Sequence, residues 1–139
     1  MLINQVKREK VHEALMNIAD DKAPGPYGFS ARFFNRAWSL IREEITDAVL
    51  EFFHSGRLLK QIIATLLVLI PKVQSPKVVV DFRPISCCNL LYKIITKIIV
   101  TRMQKVLDSL VHNTQIAFVP GRRITDNILL AQELLAAYN

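Results

Sequence analysis

Two basic clusters are the groups in this sequence whose types and spacing suggest chemistry. The first is Lys72, Lys77 and Arg83. A lysine offers a phosphate a point charge, and an arginine can grip it bidentately. An edge hairpin guarded by positive charge against aggregation would carry the same residues. The second is Gly121-Arg122-Arg123, just ahead of a predicted helix. Backbone N–H groups at a helix N-terminus, with two guanidiniums beside them, suit a phosphate. An ordinary charged loop is the plain alternative.

Other constellations fail. Zinc needs about four N/S ligands at suitable spacing. Here there are two adjacent cysteines, Cys87 and Cys88, and three histidines, His12, His54 and His112, far apart in sequence. His12-Glu13 starts a zincin-like pattern, but Met16 stands where the second histidine must be. The glycines at 25 and 28 lack a third partner and sit between predicted helices, so they are no phosphate-binding loop. No nucleophile elbow is present. Adjacent Cα atoms lie ~3.8 Å apart, below the usual disulfide range, so Cys87 and Cys88 are expected to be small core residues where a strand meets a helix.

The charge distribution localises the signal. The net charge is +6, but Met1 to Gly56 carries −1, Arg57 to Arg123 carries +9, and Ile124 to Asn139 carries −2. A basic central block suggests a polyanion, either nucleic acid or an anionic membrane surface, or else a solvated basic face with no partner. With 51% hydrophobic and 22% charged residues, disorder is excluded. The 139 residues suffice for about one domain. The longest apolar stretch, 62–70, is too short for a bilayer, which needs ~20 residues. No apolar run follows the first charges as a signal peptide requires. A reduced, intracellular, non-secreted chain is the expectation.

The elements that must position these residues follow from periodicity. Val6, Val11, Ala14, Leu15 and Ile18 predict an amphipathic helix over 5–19. Pro24, Gly25, Pro26 and Gly28 make a stiff loop. Ser30 is placed to cap a second helix to about His54, and Gly56 to end it. The period then shortens. Residues 64–71 (ATLLVLIP) and 78–82 (VVVDF) predict an antiparallel hairpin, with Pro71 and Pro84 at the strand margins. Asn89 can cap a third helix over 90–110, whose stripe is Leu91, Ile94, Ile95, Ile98, Met103, Val106, Leu107 and Leu110. Thr125 can cap a last helix bearing Ile128, Leu129, Leu135 and Tyr138.

Four phrases then share an order. Lys22-Ala23-Pro24-Gly25-Pro26 with Gly28-Phe29 resembles a KAPGPDGF signature. Leu69-Ile70-Pro71-Lys72 resembles a LIPK strand. Asp81-Phe82-Arg83-Pro84-Ile85-Ser86 with Asn89, Tyr92-Lys93 and Lys97 resembles an RPIS–YKI–KI block. Gln115, Ala117-Phe118, Gly121-Arg122 and Thr125-Asp126-Asn127 resemble a QxAFxxGRxxxDN block. Together they resemble the reverse transcriptase of LINE-type (non-LTR) retrotransposons, especially those of plants, over nearly the whole chain. Tyr27 departs from that pattern where Asp is usual, and Ile63 where Asn is usual. Such losses fit a remnant no longer under selection.

The resemblance implies an α+β fold: helix-rich fingers and palm edge of a right-hand polymerase with a small antiparallel hairpin, residues 1–139 being a partial domain. It implies Arg83 and Lys72 at the nucleotide triphosphate, and Lys77, Gln115, Phe118, Gly121, Arg122 and Arg123 along the template. In the family, carboxylates hold two Mg²⁺ ions that align the primer 3′-OH and the triphosphate. Those carboxylates lie in later strands, so no catalytic or metal-binding residue is expected here. Mg²⁺ and deoxynucleoside triphosphate belong to the complete enzyme, with its remaining palm and thumb. The expected partner is an RNA/DNA primer–template and not a membrane. A non-catalytic basic nucleic-acid-binding module and an unselected pseudogene product are the alternatives. If the hairpin turns near Ser75, Lys72 and Arg83 are offset by five strand residues, ~17 Å, which one triphosphate does not bridge easily; either the loop is irregular and the register shifted, or one of the two serves the template backbone.

Overall fold

A computed structural model of the chain describes residues 4–112, 115, 119, 121 and 123–136. It is α+β: helices α1 (Arg8–Met16), α2 (Ala31–Ser55), α3 (Lys60–Ile63), α4 (Leu90–Leu110) and α5 (Ile124–Ala136), with strands β1 (Thr65–Pro71) and β2 (Phe82–Cys88). Two compact units divide it, one of Ile3–Ile99 and one of Met1–Leu2 with Val100–Asn139.

The first unit holds the core. Val11, Ala14 and Leu15 of α1 pack with Ala31, Ile45 and Val49 of α2 and with Leu90, Ile94, Ile95 and Ile98 of α4. Fully burying Val11, Leu15, Val49 or Ile94 contributes roughly 1.5–3 kcal/mol each. Val6 and the half-buried Ile18 join from beyond the ends of α1, as their spacing predicts. The His12 ring stacks on Trp38, centroids 4.7 Å apart. Arg8 joins α1 to α2 through Glu43 at 2.5 Å and Asp47 at 2.6 Å.

The helix ends follow local chemistry. Ser30 occupies the N-cap position of α2 with extended backbone, but no side-chain bond caps the helix. Gly56 ends α2 with φ of 69°, its N–H donating to the Phe52 carbonyl at 2.8 Å. A left-handed φ favours glycine there, because a Cβ would be strained. Helix α5 begins two residues earlier than predicted, placing Thr125 inside it rather than at its cap.

The hairpin is antiparallel, as the sequence predicts, but its second strand is displaced. β2 covers FRPISCC, whereas Val79–Asp81 form a 3-10 turn. Val78, Val79 and Val80 are 55%, 83% and 75% exposed. β-branched residues favour strands by packing on neighbours, and these three have little to pack on. Pro84 is not at a margin but inside β2, opposite Leu69. The Lys72 N–H donates to the Asp81 carbonyl at 2.7 Å, continuing the ladder. Bonded and non-bonded pairs alternate from there, so Leu69–Pro84 is a non-bonded pair and the missing proline donor costs no rung.

In the second unit, Val119 is buried. Met103 and Leu110, expected in the buried stripe of α4, are exposed, as are Ile128, Leu129 and Leu135 of α5. Tyr138 lies outside the described residues.

Candidate functional site

The register decides how far apart the basic residues of the hairpin lie. Arg83 sits opposite Ile70, and Pro71 opposite Phe82. Lys72 then opposes Asp81 through its 2.7 Å backbone bond. Arg83 and Lys72 are therefore two register positions apart and not five. The ~17 Å offset of a turn near Ser75 does not occur, and the alternative of an irregular loop with shifted register is the one observed. The extra residues of the returning arm are taken up by the 3-10 turn and not by strand.

Asp81 organises the connection. Its carboxylate accepts the backbone N–H of Lys77 at 2.8 Å and of Val78 at 3.1 Å. Those two bonds hold its carboxyl below the ordinary carboxylate value. The Lys72 ammonium donates to the Val80 carbonyl at 2.9 Å, across the same loop. Lys72 thus closes the loop and spends one of its three donors there. Arg83 and Lys77 are exposed, and among the described residues neither side chain has a hydrogen bond or ion pair.

The contrast in ion pairing is spatial. Ion pairs join Arg8, Lys10, Arg32 and Arg42 to Asp20, Glu13, Glu43 and Asp47. All of these precede the basic block. On the hairpin, Asp81 is the single acidic residue, and its Oδ2 accepts two backbone amides of the same loop. Arg83 therefore presents an uncompensated guanidinium on an exposed strand.

The hairpin is anchored at its base. The side-chain amide of Asn89 donates to the carbonyls of Gln61, Ile62 and Ala64 at 3.0, 3.1 and 3.3 Å. Lys93 of α4 donates to the Ala23 carbonyl at 2.6 Å. Gly25 lies so close to Asn89 that a Cβ there would meet its backbone N at 2.6 Å and Cα at 2.7 Å. The KAPGP loop, the approach to β1 and the β2–α4 corner thus converge. The sequence singles out Asn89 as a helix cap and as part of the RPIS–YKI–KI block, and neither points to residues 61–64. Its reach to residues 61–64 leaves no local pattern that could reveal it.

The remaining predicted residues belong to the second unit. Gln115 is exposed and its N–H donates to the His112 carbonyl at 3.0 Å. Gly121 and Arg123 are exposed just before α5. Phe118 and Arg122 lie outside the described residues. Cys87 is buried and Cys88 half-buried where β2 meets α4, and both thiols are free. Tyr27 and Ile63 are exposed, and nothing in the structure explains their departure from the family pattern. Among the described residues no group of three or more His, Cys, Asp or Glu could hold a metal ion, and no helix is long and apolar enough to cross a membrane.

No protein-family model matches the chain. It is similar to the Transposon TX1 uncharacterized 149 kDa protein of Xenopus laevis, with 32% identity over 127 residues. The match covers 91% of this chain and 10% of that protein, so the chain spans about a tenth of the length of its relative. A match over nearly the whole chain supports a transposon-derived protein.

Proposed function

We propose that the chain is part of the reverse transcriptase of a LINE-type retrotransposon, and that its hairpin contacts the phosphates of a primer–template and of an incoming deoxynucleoside triphosphate. The observation that carries this reading is Arg83, exposed without an acidic partner on β2, two register positions from Lys72. A guanidinium on a rigid strand suits bidentate phosphate binding. Lys77, at the far end of the hairpin, adds a point charge to the same element. Transposon ancestry and the order of the four sequence phrases support the reading. Gln115, Phe118, Gly121, Arg122 and Arg123 extend the contact to the template. In this reading the role of the chain is binding and orientation. Mg²⁺ chemistry belongs to the complete enzyme.

The test is fluorescence anisotropy of a labelled RNA/DNA primer–template across a salt series. Binding should weaken steeply with salt, because each neutralised phosphate releases a counterion. Arg83→Ala should weaken binding and lower the salt slope by about one. A slope that ignores Arg83→Ala would contradict the assignment, and absence of binding would refute the function.

A further inference from the structure

Asn89 stands where β2 ends and α4 begins, nine-tenths buried. Its two amide protons face three carbonyls, those of Gln61, Ile62 and Ala64. These belong to the last turn of α3 and the corner that opens β1, where helical carbonyls lose their intrahelical partners. The neighbouring groups have their own bonds. Thr65 Oγ1 donates to the Ile63 carbonyl at 2.9 Å, and the Ala64 N–H to the Lys60 carbonyl at 3.0 Å. One side chain therefore satisfies every carbonyl that the corner leaves open. Gly25 presses against the Asn89 backbone and its Oδ1, where no Cβ fits. Lys93, one turn along α4, ties down the Ala23 carbonyl.

We propose that Asn89 is a positioning residue: its amide clamps the start of β1 to the end of β2 beneath the KAPGP loop, and so fixes the hairpin, with Arg83, on the helical core. The clamp itself stands on hydrogen bonds and close packing. Its bearing on ligand binding rests on the proposed function of the hairpin. Chemistry separates the clamp from mere filling of space. Aspartate has the shape of asparagine but, when ionised, turns an acceptor toward three acceptors. Protonation restores one donor. A buried carboxylate without donors has a raised pKa, so the neutral form should return on mild acidification.

The test is hydrogen exchange on the full chain, comparing Asn89→Asp and Asn89→Ala with the parent. At pH 7, amides of β1 and β2 should exchange at least ~10-fold faster in both variants, since unpaired buried acceptors are costly, while α1 and α2 keep their protection. At pH 5, after correction for intrinsic rates, the Asn89→Asp hairpin should regain protection and the Asn89→Ala hairpin should not. Hairpin exchange at the parent rate in Asn89→Ala would overturn the clamp. So would equal loss across α1 and α2 in Asn89→Ala, or a lack of pH rescue in Asn89→Asp. In primer–template anisotropy, Arg83→Ala should cost less in the Asn89→Ala background than alone. If the parent binds no nucleic acid, the function fails, while the exchange result still decides the clamp.

Discussion

The helical core and the hairpin of the first unit are both rich in apolar residues, yet they use them in opposite ways. On α1, α2 and α4 the apolar positions recur at helical spacing and turn into one shared interior, where Val11, Leu15, Val49 and Ile94 are wholly enclosed. On β1 every residue is exposed, including Leu66, Leu67, Val68, Leu69 and Ile70. A strand presents alternate residues to opposite faces, so covering one face would still leave the other open. Here neither face is covered among the described residues. The core is held by burial. The hairpin is held by its ladder, by Asp81 and Lys72 at the tip, and by Asn89 at the base.

That difference predicts a steep gradient of mutational cost. Ile94→Ala in the core should cost about 2–5 kcal/mol, measured by denaturant unfolding, because it removes a fully enclosed side chain. Gly25→Ala should cost about 1–3 kcal/mol in the same experiment, since its methyl would meet the Asn89 backbone N and Cα as well as its Oδ1. Arg8→Ala, at an exposed pair of ion bridges, should cost no more than about 1 kcal/mol, and less at high salt. Leu69→Ala, half-exposed on β1, should stay within about 0.5 kcal/mol despite removing a leucine. A Leu69→Ala cost as large as that of Ile94→Ala would mean that the hairpin is buried in solution, and the contrast would fail.

The tip adds a pH-dependent version of the comparison. The carboxyl of Asp81 is held below its ordinary value by the Lys77 and Val78 amides. A lowered folded-state pKa gives stabilisation that is present above the ordinary carboxylate range, about pH 4, and is lost as pH falls through the lowered value. Exchange at the Lys77 and Val78 amides, corrected for intrinsic rates, should therefore accelerate on strong acidification, and Asp81→Asn should accelerate it already at neutral pH. Equal acceleration in α2 would show that acid acts globally and not through this loop.

The parts legible in the sequence were those with a local cause. Helical spacing located α1, α2 and α4, and Gly56 marked the end of α2. The apolar run 64–71 found β1 to within one residue. Strand β2 was misplaced because Val78–Val80 carry the residue types of a strand without its neighbours, and because Pro84 looked prohibitive until the register put it at a non-bonded pair. The site divides along the same line. Arg83 and Lys77 were visible as charges. Their freedom from ion pairs depends on where the carboxylates fold, and Asn89 depends on partners 25–28 residues away. Lys72 was visible as a charge too, but its bond to the Val80 carbonyl ties it to the loop as well.

The central claim is that the uncompensated charge of the hairpin, and not the helical core, meets the phosphate backbone. Hydrogen exchange of the full chain with and without a primer–template tests it directly. The account predicts slower exchange across β1, β2 and the loop joining them when the duplex is present, with α1 and α2 unchanged. Protection confined to α1 and α2, or no change in the hairpin at duplex concentrations that saturate the anisotropy signal, would contradict it.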